Sequence, residues 1–77
     1  MFEYNICNRA DEQLFYRQCR AIEKYIPNLK KGELLNDVDG TLVQKYNHEK
    51  GSITVKNDCQ VDVLYVDAEF DLTPYFR

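Results

Sequence analysis

The first residues of the chain alternate between apolar and polar positions. Every second residue from Phe2 to Ile6 is apolar, which predicts a half-buried strand over Phe2–Cys7. Asn8 then suits a helix N-cap, with Asp11 three residues later in a position typical of a capping box. The pattern therefore predicts a short strand that leads directly into a helix.

The next stretch changes to a helical period. One stripe collects the apolar side chains Leu14, Phe15, Cys19, Ala21, Ile22, Tyr25 and Ile26. Arg17, Arg20 and Lys24 cluster on the opposite face of the same helix. Pro27 ends the helix, because the residue before a proline is pushed out of the α region. We expect the apolar stripe to form half of the core.

The rest of the chain is predicted to form strands separated by turns. The predicted strands are Glu33–Asn36, Thr41–Asn47, Ser52–Lys56 and Gln60–Val66. Two of the turns end in Gly40 and Gly51, which suit the left-handed position of a hairpin loop. The last strand is apolar on both faces, which is typical of a central strand. We expect one α+β domain over residues 1–77, with one helix on a small antiparallel sheet in the order of about β-α-β-β-β.

Two features of this expectation are left open by the pattern. Whether the N-terminal strand joins the sheet is not specified by its residues. The segment Asp67–Leu72 alternates acidic and apolar residues, so it either extends the last strand or lies on the surface.

Length and composition limit the possible functions. The chain has 77 residues and a mass of 9.1 kDa, which excludes enzymes with a cleft between two lobes. Its net charge of −3 opposes nucleic acid as the main ligand. No apolar run is long enough to span a membrane, and the N-terminus does not resemble a signal peptide. Three cysteines without a CxxC spacing predict a reduced, cytoplasmic protein with free and mostly packed thiols.

One short motif suggests phosphate chemistry. The stretch Asp37-Val38-Asp39-Gly40-Thr41-Leu42 resembles the first motif of haloacid dehalogenase-like phosphatases. The resemblance implies a nucleophilic role for Asp37, an acid/base role for Asp39, and bound magnesium. It covers six residues, and the family needs a parallel sheet with a later lysine and acidic pair on separate strand ends. We therefore interpret the motif as a hairpin turn. The alternative is a small enzyme or small-molecule-binding domain that uses Asp37 and Asp39.

Other constellations give no catalytic or metal-binding prediction. Cys7, Cys19, His48 and Cys59 match no known zinc spacing, and Cys19 belongs to the apolar stripe of the helix. A single turn histidine provides neither a catalytic triad nor a base placed beside a thiol. We therefore expect no catalytic residue, no metal and no cofactor, and a protein that is not an enzyme.

Charge is distributed unevenly along the chain. Residues 1–32 hold six basic and four acidic side chains, a sum of +2. Residues 33–77 hold four basic and nine acidic side chains, a sum of −5, and no Lys or Arg occurs from Asn57 to Phe76. The molecule is therefore expected to carry a basic helix face and an acidic last strand and tail, with aromatic residues among the acids.

This charge pattern predicts an interaction protein. Acidic and aromatic residues together suit docking on a basic protein surface, as an inhibitor, immunity or accessory protein of the kind found in phages and mobile elements. The predicted binding residues are Asp62, Tyr65, Asp67, Glu69, Phe70, Asp71, Tyr75 and Phe76. Ten aromatic residues exceed what so small a core hides, so we also expect a homodimer. A nucleic-acid-binding module with Arg17, Arg20 and Lys24 as phosphate contacts is the less favoured alternative.

Overall fold

The structure, a computed structural model, describes residues 1–76. Its elements are β1 (Phe2–Cys7), α1 (Glu12–Tyr25), β2 (Lys30–Asn36), β3 (Leu42–His48), β4 (Gly51–Asp58), β5 (Val63–Ala68) and a short 3-10 helix, η1 (Thr73–Tyr75). The strands form one antiparallel sheet in the order β1-β5-β4-β3-β2. The α+β fold class is confirmed, and the four strands after the helix correspond to the four predicted strand segments, one more than the approximate order β-α-β-β-β contains.

The position of β1 answers a question that the sequence left open. β1 pairs with β5, the last strand, so the two ends of the chain lie side by side. This pairing makes β5 an inner strand, as its apolar composition predicts, and leaves β1 as one edge of the sheet. β2 forms the other edge, where a bulge lies between Lys31 and Leu34.

The core lies between α1 and one face of the sheet. Phe15, Cys19 and Ile22 of the helix are buried against the sheet. The sheet contributes the buried side chains Leu42, Tyr46, Ile53, Val55, Leu64, Val66 and Ala68, and Leu72 joins them from the C-terminal segment. Tyr25 was predicted to belong to this core, and that prediction is wrong. It is 51% exposed, and its ring packs on Phe76 with centroids 5.6 Å apart.

The helix begins later than predicted. Asp11 is the N-cap, and its carboxylate accepts a hydrogen bond from the backbone N–H of Leu14 at 3.1 Å. Asn8 instead accepts a hydrogen bond from the side chain of Asn5. The reason is tertiary: the Asp11 N–H donates to the buried side chain of Asn57, which fixes the chain in an extended conformation up to Asp11.

The start of β5 is also later than predicted. Gln60–Asp62 belong to a turn because the Asp58 carboxylate accepts hydrogen bonds from the N–H groups of Gln60 and Val61. Asp62 adopts a positive φ of 56°, which ends the turn before Val63. At the other end of the sheet, β2 begins at Lys30, three residues before the predicted strand.

The second face of the sheet carries no helix within residues 1–76. We call it the open face, defined by Val43, Lys45, Thr54, Lys56, Tyr65 and Asp67, with Glu3 at its edge. These residues alternate along their strands with the buried ones, so their side chains point away from α1. No helix in the described part of the chain has the length and apolar character needed to span a membrane.

Candidate functional site

The eight predicted binding residues do not form one surface. Tyr65 and Asp67 lie on the open face of the sheet. Glu69, Phe70, Asp71, Tyr75 and Phe76 follow β5 and fold around the end of the sheet at the β3–β4 turn. Asp62 lies at the opposite end of β5, where its carboxylate accepts a hydrogen bond from the Ala10 N–H at 2.7 Å.

An aromatic cluster forms where the C-terminal segment meets the β3–β4 turn. The ring of Phe70 stacks on His48 with centroids 5.0 Å apart, and Tyr75 packs against both rings. The ammonium group of Lys50 lies 3.4 Å from the Tyr75 hydroxyl. Phe70 and Tyr75 are therefore half-buried against their own chain, and the single histidine is held by ring packing rather than free in solvent.

Glu69 is fixed to the same turn by backbone contacts. Its carboxylate accepts a hydrogen bond from the Ser52 N–H at 2.7 Å, and this bond lowers the pKa of Glu69 below its ordinary value. The neighbouring Gly51 has a φ of 141°, and a Cβ at this position would lie 2.6 Å from the Cβ of Glu69. The glycine is therefore required by both the backbone conformation and the close approach of Glu69.

An apolar cleft lies on the helix side of the sheet, beside β1. This cleft has a volume of about 330 Å³ and is lined by Tyr4, Ile6, Gln18, Val66, Leu72, Thr73 and Phe76. Its walls therefore come from β1, β5, α1 and the C-terminal segment. The helix packs on β3 and β4, so the cleft marks the part of the sheet that the helix leaves uncovered.

Hydrogen bonds fix the wall between β1 and the C-terminal segment. The Tyr4 hydroxyl donates to the Asp71 carboxylate at 2.9 Å and accepts from the Leu72 N–H at 2.9 Å. The same Asp71 oxygen accepts from the Thr73 N–H at 3.0 Å. The Asp71 carboxylate therefore lies at the wall of the apolar cleft, next to Tyr4 of β1.

Exposed apolar side chains border the cleft and the free edge of β1. Phe2 and Ile6 on β1 are 43% and 39% exposed, and Phe76 is 41% exposed. Sequence reasoning identified Phe76 but missed Phe2, Tyr4 and Ile6. Their alternation in the sequence was visible, but the pairing of β1 with β5 at a sheet edge was not.

The basic helix face forms a second, polar groove. Arg9, Arg17 and Arg20 line it together with Tyr16, and its volume is about 660 Å³. Arg17 and Arg20 make no ion pair within residues 1–76. Lys24, predicted with them, does not line this groove and lies over the ring of Tyr25.

The phosphatase-like motif forms the β2–β3 turn. The Asp37 carboxylate accepts from the Val38 N–H at 2.8 Å, and the Asp39 carboxylate accepts from the Thr41 N–H at 2.9 Å. This bond lowers the pKa of Asp39. Gly40 has a φ of 91°, as expected for a hairpin turn. The interpretation as a turn is confirmed, and both carboxylates are used to hold its backbone.

The cysteines lie apart from one another in the fold. Cys19 is buried, and burial raises the pKa of its thiol. Cys7 is half-buried against the core, while Cys59 is exposed, so two of the three thiols are packed, as expected. Within residues 1–76, no group of three or more His, Cys, Asp or Glu side chains is arranged to hold a metal ion.

Comparisons with known proteins add no family. A scan against protein-family models found no match, and neither curated proteins nor solved structures gave a match.

Proposed function

We propose that this protein is a non-enzymatic protein-binding domain whose binding site is the cleft beside β1. In this proposal an extended segment of the partner pairs with the free edge of β1 and places an apolar side chain in the cleft. The C-terminal segment that was predicted to bind a partner supplies Leu72 and Phe76 to one wall. The observation that carries the proposal is the apolar cleft directly beside an unpaired sheet edge.

The edge of β1 suits an added strand better than the opposite edge does. An edge strand exposes unpaired backbone N–H and C=O groups, which an extended peptide can pair while its alternate side chains enter pockets. Both edge strands contain a bulge, but β2 also carries Lys30, Lys31 and Glu33, and these charges disfavour strand addition. β1 carries one charged residue, Glu3, so its edge is the less protected of the two.

Charge supports a basic partner segment. Asp71 lies at the cleft wall, Glu3 lies on the edge strand, and Asp67 pairs with Glu3 on β5. Complementary charge speeds the encounter of two proteins, while buried apolar anchors supply most of the affinity. We therefore propose a partner segment that alternates apolar residues with Lys or Arg.

The proposal is tested by selection from a random peptide library displayed on phage. The selected peptides are expected to be extended, apolar at alternate positions and basic. Replacing Ile6 with Asp places a charge on the cleft wall and is expected to weaken binding by about tenfold or more. In amide-resolved NMR titrations, the residues of β1 and Leu72–Phe76 are expected to shift first.

Val38→Asp is the matched control. Val38 is a fully exposed apolar residue in the β2–β3 turn, so the same substitution changes the charge equally without touching the cleft. This variant is expected to bind the peptides as the unchanged protein does. Peptides that bind equally well to Ile6→Asp, or a selection that yields no binding peptide, would contradict the proposed site.

A second candidate function uses the arginine groove on α1. Its support is that Arg17 and Arg20 form no ion pair with any of residues 1–76 and share one groove with Tyr16. Single-stranded oligonucleotide binding that falls steeply with salt and is lost in Arg17→Glu and Arg20→Glu variants would favour this candidate. The net charge of −3 makes a protein partner the better supported choice.

Cytoplasmic location and homodimer formation, both expected from the sequence, remain part of the proposal. The self-association concerns the open face of the sheet and not the cleft.

A further inference from the structure

The open face carries opposite charges on its two halves. Lys45 on β3 and Asp67 on β5 lie in one row across the sheet, each paired directly with Thr54 of β4. Glu3 of β1 continues this row beyond Asp67. The row therefore runs from a positive charge on β3 to two negative charges on β5 and β1, with a neutral residue at its centre.

The acidic end of this row is unfavourable in a single copy. Glu3 and Asp67 lie directly opposite each other in the antiparallel pair, and like charges in such positions destabilise a sheet. The side chains of Glu3, Asp67 and Lys45 form no hydrogen bond and no ion pair within residues 1–76. Two strand spacings, about 10 Å, separate Lys45 from Asp67, and the two side chains form no ion pair within residues 1–76.

We propose that a second copy of this chain docks on the open face, with a two-fold axis that runs along the strands over Thr54. Rotation about this axis exchanges β3 with β5. It places Lys45 of each copy opposite Asp67 of the other, which forms two attractive pairs, while Glu3 of each copy faces the β2 edge of the other. A two-fold axis across the strands, in the plane of the interface, would instead place β5 on β5 and β1 on β1, so that acidic side chains would face each other. The charges therefore favour the axis along the strands.

The next row of the open face supplies the apolar contacts. Val43, Lys56 and Tyr65 are neighbours on β3, β4 and β5. The same axis places Tyr65 of each copy over Val43 of the other, so the dimer contains two symmetric contacts in which a tyrosine ring is buried. Lys56 meets its own equivalent at the axis, but its charge is already paired with Asp58 at 3.6 Å.

The size of the face predicts a weak dimer. Five strands of about six residues give a footprint of roughly 24 by 20 Å, or about 480 Å². Stable complexes bury about 800 Å² on each partner, so this face suits the weaker, reversible class. Glu33, in the bulge of β2 between Lys31 and Leu34, adds an acidic group at the rim and further limits the affinity.

Charge exchange tests the proposal by sedimentation velocity and light scattering. The unchanged protein is expected to move from 9.1 kDa towards twice that mass as its concentration rises to about 1 mM. Asp67→Lys and Lys45→Asp each create two repulsive pairs and are expected to weaken self-association by about tenfold or more. An equimolar mixture of the two variants restores both attractive pairs and is expected to form the heterodimer.

The mixture also controls for folding, because a misfolded variant would not be rescued by its partner. Glu49→Lys and Lys24→Asp change the charge by the same amounts away from the open face, and these variants are expected to dimerise normally. A protein that stays at 9.1 kDa at the highest concentration overturns the proposal. The proposal is also overturned if Asp67→Lys or Lys45→Asp alone dimerises as the unchanged protein does, or if the equimolar mixture of the two variants stays monomeric. None of these results depends on peptide binding at the cleft.

Discussion

At the scale of single residues, Tyr46 links the helix to the sheet. Its ring is fully buried, and its hydroxyl donates to the Glu23 carboxylate at 2.7 Å. Lys31 lies 3.4 Å from the same carboxylate oxygen, so three elements meet at one group. Burial raises the pKa of Tyr46 above its ordinary value, so the hydroxyl stays protonated at pH 7 and donates this hydrogen bond.

Removal of this hydroxyl tests the contribution of the link. Tyr46→Phe is expected to lower the free energy of unfolding by about 1 kcal/mol, since Glu23 is partly exposed and regains water. Urea denaturation at pH 7 measures the change. Tyr16→Phe removes an exposed hydroxyl that has no hydrogen-bond partner within residues 1–76 and should have little effect. Equal losses in the two variants would contradict the assigned role.

Glu69 gives the molecule a dependence on pH. Its pKa in the folded protein lies below the ordinary value of 4.5, because the Ser52 N–H stabilises the charged form. Its contribution to stability is therefore complete above pH 4.5 and is lost as the pH falls through the folded pKa. Glu69→Gln is expected to be less stable than the unchanged protein at pH 7, and this deficit is expected to shrink as the pH falls below 4.5.

Thermal unfolding at several pH values measures this difference. Glu49→Gln, in the adjacent turn, is the control, and its difference from the unchanged protein is expected to be small at every pH. A Glu69→Gln deficit that persists at pH 3 would show that the carboxylate charge is not the cause.

At the scale of elements, the helix start shows how tertiary contacts override a local signal. Asn8 and Asp11 are both good N-caps, and the sequence alone favours the first. The structure uses Asp11 because Asn57 and Asp62, each more than 40 residues away, hold the N–H groups of Asp11 and Ala10. The local sequence pattern contains no sign of these long-range contacts, and this is why it predicted Asn8 instead of Asp11 as the N-cap.

The choice between the two caps is testable. Asp11→Ala is expected to destabilise the protein by about 1 kcal/mol because the Leu14 N–H loses its partner. Asn8→Ala removes only an exposed hydrogen bond to Asn5 and is expected to cost much less. Chemical denaturation of the two variants compares them directly. A larger loss for Asn8→Ala would mean that the helix is capped in solution as the sequence predicts.

Strands were predicted most accurately where alternation or turn residues marked them. β1 matches its predicted bounds, and Gly40 and Gly51 mark two turns with positive φ. β5 was extended too far because Val61 has a strong strand preference, while the Asp58 carboxylate holds it in a turn. Strand propensity alone does not show when a nearby side chain, here the Asp58 carboxylate, binds the backbone N–H groups that a strand would use.

At the scale of the whole molecule, the sequence predicted the ingredients of the candidate site but not its shape. The acidic and aromatic C-terminal residues were identified, yet Tyr65 and Asp67 lie on the open face while Leu72 and Phe76 line the cleft. The alternation within β5 separates these faces, but the folding of residues 69–76 back towards α1 depends on the Tyr4–Asp71 hydrogen bond. Contacts between the two ends of a chain cannot be derived from local spacing.

The two proposed surfaces lie on opposite faces of one sheet, so we expect them to act independently. Ile6→Asp is expected to weaken peptide binding by about tenfold or more while the protein still dimerises. Asp67→Lys is expected to weaken dimerisation by about tenfold or more while peptide affinity falls by less than about threefold, since Asp67 attracts the basic segment only through a single exposed charge. Light scattering and fluorescence titration on the same samples measure both properties. Because Asp67 pairs directly with β1, a variant that loses both properties would mean that the edge strand serves one combined interface.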